Sequence, residues 1–370
     1  MKKIIPVNKV NFFYDNERNL NQHNFSKEKL LKNSDQIKKI LIIKWGGMGD
    51  VIQSTAIIND ILNHFKGLKV DINTLPKWKI FFKYDKRINN TWGFNYKKGF
   101  KNFLISFQWI KYVLMQRYDL IIDLQTNDRS RIFLSFVRFL SMKKNIIIGN
   151  HFIFPYNISP KNKIKVSQPF LRLKRTLFYL GINSSGNEPK IIAPNSSNKN
   201  IIKLLKQHKI INKEIFIFIP GSSASNSLKR WGADNYVKLS KLLASKNRQI
   251  ILVGGSDDKK ICDKIISKNK NIINLCQKIS LIDLIPLFKK AKFIIANDTG
   301  PTHLTACTST PTLQILGPTN PFNVKPFGSN IISIQSEIFC KNCYQKICEH
   351  HSCMIGLKPI KIYEYIKSKI

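Results

Sequence analysis

The sequence predicts an α/β fold made of two doubly wound, parallel-sheet domains in tandem, facing across a cleft. Three observations predict it. Short apolar runs alternate with stretches of helical period along most of the chain. Several of those runs stop at small or polar turns, as a buried strand does where it hands over to a helix. Residues 183–200, rich in Ser, Asn, Gly and Pro, separate two such series and read as a linker region. A chain of 370 residues is long enough for two domains of ordinary size.

Taken in order, residues 1–36 are polar, rich in Asn and Lys and weakly periodic, and read as an extension outside the core. The first domain is expected over 37–190. Residues 40–43 form a buried strand, and Lys44-Trp45-Gly46-Gly47-Met48-Gly49-Asp50 a glycine-rich loop. A helix follows on the apolar spacing of Val51, Ile52, Ala56, Ile57 and Leu62. Strands are expected at 70–75, 118–124 and 145–149, with a helix near 103–115. The second domain is expected over 200–357. Its strands fall at 215–219, 249–253, 271–275, 293–296 and 312–316, and its helices at 233–245, up to 268, at 280–290 and from Pro301. Ser280 as N-cap with Asp283 three residues on reads as a capping box. Residues 358–370 have helical periodicity and form a C-terminal helix.

The charge is extreme: 61 Lys and Arg against 22 Asp and Glu, a formal +39. It predicts attraction to a polyanion, whether nucleic acid, anionic lipid or a phosphorylated substrate. Lys, Asn and Ile all have A- and T-rich codons, so base composition accounts for part of the excess. The basic residues are spread along the chain and no RNA-binding motif is present, which argues against a specific nucleic-acid partner. No apolar run reaches the ~20 residues that span a bilayer. The basic start, Met1 to Pro6, lacks the apolar core of a signal peptide, so a cytoplasmic location is expected.

The most informative run is Asn297-Asp298-Thr299-Gly300-Pro301-Thr302-His303-Leu304. It places Asp298, Thr299, Gly300 and His303 between the end of a strand and the start of a helix, where α/β sheets bind anionic ligands. Its plain alternative is a capped helix with a buried histidine. Three other strands of the second domain end in Gly221-Ser222-Ser223, Gly254-Gly255-Ser256-Asp257 and Gly317-Pro318-Thr319. If the strands are parallel, the four turns share one sheet edge, and backbone amides with hydroxyls there suit a nucleoside diphosphate. Asp257 or Asp258 would accept from ribose hydroxyls. Lys229 and Arg230, just before Trp231, would neutralise charge on a leaving phosphate. In the first domain Asp50 reads either as a helix-capping carboxylate or as a general base, with Lys44 beside it to hold it anionic or to touch phosphate. The loop is not a P-loop, since no Lys-Ser/Thr pair ends it. Of seven cysteines, Cys262, Cys276 and Cys307 read as single core residues. Cys340, Cys343, Cys348 and Cys353, with His350 and His351 among them, have donor types and spacing compatible with a structural zinc; a thiol cluster without metal is the alternative.

Together, Lys44-x4-Gly49-Asp50-Val51, Pro220-Gly221-Ser222-Ser223 with Lys229-Arg230-Trp231, the 297–304 run, and Leu316-Gly317-Pro318-Thr319-x-Pro321 resemble glycosyltransferase family 9, the ADP-heptose:lipopolysaccharide heptosyltransferases. The resemblance covers roughly residues 37–365, and the cysteine cluster also occurs in many members. Two departures are Thr302, where Met or Ser is frequent, and Gly232, where Pro usually follows the tryptophan. The resemblance implies a GT-B fold, acceptor in the first domain and nucleotide sugar in the second, and an inverting transfer that needs no catalytic metal. It implies Asp50 as catalytic base, on an acceptor-side loop with Lys44 and Gly49. Ser222, Ser223, Lys229 and the amides of Thr299 and Gly300 would hold the diphosphate. Asp298 and His303 would face the donor sugar or its diphosphate, and Asp257 the ribose. The implied partners are ADP-heptose and a lipid-linked anionic core oligosaccharide, met at the inner-membrane face, where basic residues gain from an anionic leaflet. Rival readings are a GT-B transferase for another nucleotide sugar or acceptor, a nucleotide-sugar epimerase of similar fold, and a non-catalytic polyanion-binding protein.

Overall fold

The structure, a computed structural model, describes residues 9–14, 31, 34–96, 98, 102–125, 127–142, 145–160 and 169–370. The chain divides into two compact units, one within 20–192 and the other formed by 193–370 together with residues up to 19. Its earliest described element is β1 (Val10–Phe13), which belongs to the C-terminal unit.

The N-terminal unit alternates as expected: β2 (Lys39–Lys44), α1 (Met48–His64), β3 (Lys69–Thr74), β4 (Asn90–Gly93), α2 (Phe103–Gln116), β5 (Leu120–Asp123), α3 (Asp128–Leu140), β6 (Ile146–Gly149) and α4 (Pro169–Tyr179). The sheet order is β4-β3-β2-β5-β6 and every pairing is parallel. Helical crossovers cover both faces of such a sheet, so its central strands must be apolar throughout; Ile40 to Ile43 are fully buried. The edge strand β4, sequence NTWG, has no apolar run and was not anticipated.

One polar side chain organises this core. Asn73, wholly buried on β3, accepts from the indole N–H of Trp45 at 2.7 Å and of Trp109 at 2.9 Å, and donates to the Trp92 carbonyl at 3.3 Å. The two indoles meet edge-on at 5.7 Å and 83°, and Phe94 and Phe133 pack against them. Buried tryptophan N–H groups need an acceptor.

The C-terminal unit contains α5 (Asn195–Gln207), β7 (Glu214–Ile219), α6 (Ala233–Leu243), β8 (Arg248–Leu252), α7 (Lys259–Lys268), β9 (Ile273–Asn274), α8 (Leu284–Lys290), β10 (Ala291–Asn297), α9 (Gly300–Thr305), β11 (Thr312–Leu316), α10 (Pro321–Val324), β12 (Ile331–Ser336), α11 (Ser352–Ile355) and α12 (Pro359–Lys367). The sheet order is β1-β12-β11-β10-β7-β8-β9. β7 to β12 pair in parallel, and β1 pairs antiparallel with β12.

Three expectations change. Of residues 1–36, expected to extend outside the core, Val10–Phe13 is an edge strand, with Phe12 stacked on Tyr365 at 4.8 Å; most of the rest of that expectation lies outside the described residues. Four residues carry too little pattern to signal this, and the pairing comes from β12's backbone. Residues 195–200, placed in the linker, are the first turns of α5, whose buried residues Ile201 and Leu205 lie beyond the polar stretch. The helix expected from Ser280 starts at Leu284. Ser280 Oγ still accepts from the Asp283 amide, at 3.3 Å, but within a turn. Pro286 has no N–H to give the preceding turn, so it suits only the first turn of a helix.

Replacing Asn73 by Ala strands two buried indole donors. We expect it to lower unfolding free energy by about 2–5 kcal/mol, read from urea midpoints, with Asn73→Asp recovering part of the loss.

Candidate functional site

Because β7, β8, β10 and β11 run parallel, the turns that follow them lie on one carboxyl edge of the sheet. The edge is held by Asn297, the last residue of β10 and fully buried. Its amide donates to the Pro220 carbonyl at 2.6 Å, at the exit of β7. Its carbonyl oxygen accepts from Tyr236 Oη at 3.1 Å and from the Trp231 amide at 3.4 Å. The Asn297 backbone carbonyl accepts from Thr302 Oγ1 at 2.7 Å, which fixes the start of α9. In the sequence, the signal that marks Asn297 is its register at the end of an apolar strand.

The next residue, Asp298, is nearly buried and bonded twice. Lys229 Nζ lies 2.7 Å from its Oδ2, and Thr319 Oγ1 donates to the same oxygen at 2.9 Å. Turns after β7, β10 and β11 thus converge on one carboxylate. An ammonium has three donors, so Lys229, about a quarter exposed, keeps capacity for a second acidic group. In the sequence Thr319 is marked only as part of a small-residue turn. Thr299 is the N-cap of α9, Gly300 its first residue and His303 its fourth, half-buried. α9 has six residues, too few for a large accumulated dipole, so any pull on an anion comes from local amides and from Lys229.

After β7, Ser222 is buried and its hydroxyl donates to the Asn226 carbonyl at 2.8 Å, so it braces its own loop. Ser223 is exposed and accepts from Asn226 Nδ2 at 2.7 Å. Arg230 is a brace as well. It donates to the Ser222 carbonyl at 2.8 Å and the Asp257 carbonyl at 2.9 Å, joining the turns after β7 and β8. The two candidate ribose carboxylates separate clearly. Asp257 is exposed and accepts from the Ala224 amide at 3.3 Å. Asp258 is buried, accepts from the Gly255 amide at 3.0 Å and sits 3.6 Å from Arg230; burial pushes its carboxyl above the usual range. Asp258 fills the space that a side chain at Gly221 would need: a Cβ there would lie 1.9 Å from its Oδ1.

In the N-terminal unit, β2 ends at Lys44, which is buried and donates to the Leu124 carbonyl at 3.0 Å. Burial lowers its pKa, opposed by the charges of Asp50 and Asp123. The loop beyond it is pinned at three points. Gln125 Oε1 accepts from the Trp45 amide at 2.8 Å, Trp78 Nε1 donates to the Gly46 carbonyl at 3.1 Å, and Asp50 Oδ2 accepts from the Gly47 amide at 3.2 Å. Gly49 and Asp50 are the second and third residues of α1, and Asp50 is exposed. Asp123, which sequence reasoning missed, is fully buried at the end of β5. It accepts from Tyr156 Oη at 2.6 Å, Ser130 Oγ at 2.7 Å and the Gln125 amide at 2.9 Å.

The cysteines correct one expectation. Cys262 and Cys276 are neighbours rather than single residues, and burial raises both thiols. Among the described residues, no group of three or more His, Cys, Asp or Glu side chains is placed to hold a metal ion. Cys353 is buried, its thiol pushed up to about 12 by burial and then by Cys340, Cys343 and Cys348, while Cys343 is exposed. His351 Nε2 is 2.7 Å from the Leu228 carbonyl and Cys348 Sγ accepts from the His351 amide at 3.3 Å. The His351 contact braces the loop that carries Lys229.

The profile of glycosyltransferase family 9 (heptosyltransferase) matches residues 107–353, two thirds of the chain. The chain belongs to glycosyltransferase family 9. Among curated family 9 relatives, lipooligosaccharide heptosyltransferase 2 of Campylobacter jejuni is 34% identical over 177 residues, which is 45% of this chain and 55% of that protein. The chain thus spans about half the length of that relative. Two solved structures share the fold. The glycosyl transferase family 9 protein of Veillonella parvula is 18% identical at a TM-score of 0.75, covering 90% of this chain and 96% of that one. The E. coli heptosyltransferase WaaC with ADP is 18% identical at 0.69, covering 90% and 100%. The fold is GT-B, with a Rossmann-like sheet in each unit, parallel throughout except for β1.

Two predictions follow from the geometry of this family 9 chain. Gly221→Ala is expected to cost about 3 kcal/mol, falling below about 1 kcal/mol when introduced into Asp258→Ala, measured as a double-mutant cycle by urea unfolding. For Lys44, the folded chain gives up its proton before the unfolded chain does. Between the lowered folded pKa and 10.5 the unfolded state binds more protons, so stability should rise with pH across that window. Lys44→Met should flatten this slope.

Proposed function

We propose that the chain is an inverting heptosyltransferase that moves heptose from ADP-heptose to a lipid-linked, anionic core oligosaccharide of lipopolysaccharide, without a catalytic metal. The observation that carries the reading is the convergence of Lys229, Asp298 and Thr319 on the carboxyl edge of the C-terminal sheet in a family 9 chain. Support also comes from relatives whose names record heptosyl transfer to lipooligosaccharide and from a fold shared with a heptosyltransferase that binds ADP.

In this reading the C-terminal unit holds the donor. The diphosphate engages Lys229 and the amides of Thr299 and Gly300. Asp298 orients Lys229 and, with His303, faces the diphosphate or the sugar. Asp257, the exposed member of its pair, takes the ribose, with Ser223 beside it, and Ser222 acts through the loop it braces. The N-terminal unit holds the acceptor on the loop from Lys44 through Gly49 to Asp50. Asp50 takes the proton from the acceptor hydroxyl, whose oxygen attacks the anomeric carbon from the side opposite the diphosphate. The anomeric C–O bond breaks as the new one forms, ADP leaves with the electron pair, and Lys229 stabilises its charge. An exposed carboxylate held by one amide bond is free to meet an incoming hydroxyl. The enzyme would work at the cytoplasmic face of the inner membrane, where its acceptor is anchored and its +39 charge is favourable.

The test is ADP release from ADP-heptose, with and without heptose-deficient lipopolysaccharide. Wild type should release ADP only with acceptor. Asp50→Asn should lower that rate by about 10²–10⁴ while ADP affinity by calorimetry is retained. Acceptor-independent turnover would point to an epimerase. No turnover by folded protein would sink the heptose donor.

A further inference from the structure

We infer that the outer face of α2 and α3 is a membrane-docking surface that takes up an anionic lipid bilayer. It deepens the proposed function and rests on it only for the acceptor's lipid anchor.

Both helices are apolar on two sides. Their inner sides supply Trp109, Ile110 and Val113 from α2 and Phe133, Leu134 and Val137 from α3, all buried, with Trp109 against Phe133 at 5.3 Å. That accounts for one face of each helix. The opposite face is apolar too. On α2, Phe103 (81% exposed), Phe107 and Met115 recur at helical spacing, and on α3 Phe136 and Phe139 (83% exposed) do the same. A helix apolar on both sides belongs against a second apolar phase, and large exposed apolar patches mark interaction sites.

The two stripes join at one end. Met115 and Arg117 from the end of α2, with Leu140 and Met142 from the end of α3, line an open groove of about 520 Å³. Its mixture of flexible apolar side chains and a cation at the rim matches a lipid's tail and headgroup better than a compact polar ligand.

Charge decides between occupants. Lys111 lies exposed within the α2 stripe, and Arg129 is exposed at the start of α3. The sequence has no Asp or Glu from 86 to 118, and none from 129 to 187; of the acids between, Asp119 accepts from the Lys38 and Lys39 amides, Asp123 is buried, and Asp128 at the start of α3 is paired with Arg131 at 3.1 Å. Two copies of such a face repel each other. A bilayer with anionic headgroups attracts it, and basic residues beside exposed aromatic and aliphatic groups are what holds a protein in an interface without spanning it. No helix among the described residues is long and apolar enough to cross a membrane.

Flotation of the full chain with phosphatidylcholine vesicles, with and without phosphatidylglycerol, tests this. Wild type should float with the anionic vesicles and hardly at all with neutral ones. The variant Phe103→Ser/Phe107→Ser/Phe139→Ser should bind at least about tenfold more weakly, and Lys111→Glu/Arg117→Glu should lose the preference for anionic lipid. An unchanged urea midpoint in each variant keeps the comparison valid. Wild type that fails to float, or a Phe variant that floats like wild type, overturns the surface. So does a wild-type dimer in sedimentation that the Phe variant abolishes, since the face then meets a second copy. ADP release with a lipid-free core oligosaccharide separates the two readings: flotation without turnover keeps the surface and sinks the transferase, and turnover without flotation does the reverse.

Discussion

The buried carboxamide of Asn297 is the constraint on which the C-terminal edge depends. In a parallel sheet the carboxyl ends of neighbouring strands have no further ladder bonds to hold their exits together. Asn297 replaces those bonds. It donates to the exit of β7, accepts from Tyr236 on α6 and from the Trp231 amide, and its backbone carbonyl anchors Thr302 of α9. A polar group this deeply buried must be fully bonded, and here the satisfied bonds also set geometry. Asp298 follows directly and inherits a fixed position, so that Lys229 and Thr319, from two other loops, can meet on one oxygen.

The N-terminal unit solves the same problem with different chemistry. Its loop from Lys44 to Asp50 is glycine-rich and would be mobile alone, yet Gln125, Trp78 and Asp50 each fix a backbone group of it. Behind the loop, Lys44 and Asp123 are buried ends of adjacent strands: Lys44 donates to the Leu124 carbonyl, and Asp123 accepts from Tyr156 and Ser130. Burial opposes both charges: it lowers the lysine and raises the aspartate. Asp50 alone in this group is exposed. That exposure is what the proposed role of Asp50 as proton acceptor requires.

Much of this was legible because continuous apolar runs such as 40–43, 215–219 and 293–296 have no exposed face to vary, and because turns that end parallel strands must share an edge. The missing pieces are those where pairing or packing, rather than local pattern, decides. β1 and β4 are edge strands with no apolar run of their own. Asp257 and Asp258 are adjacent and chemically identical, and only the space beside Gly221 and Gly254 assigns the buried role to Asp258. Ser222 looked like a ligand hydroxyl, but its donor goes to its own loop. The bond from His351 to the Leu228 carbonyl, which ties the cysteine segment to the loop of Lys229, joins residues 123 apart and has no local sequence signal.

The most direct test of the central claim, that the Asn297-clamped edge is a nucleoside diphosphate site, is a crystal structure of the chain with ADP. The account predicts phosphate oxygens within hydrogen-bond distance of Lys229 Nζ and of the Thr299 and Gly300 amides, with the ribose against Asp257. ADP bound away from this edge, with Lys229 still held by Asp298 and touching no phosphate, would contradict it.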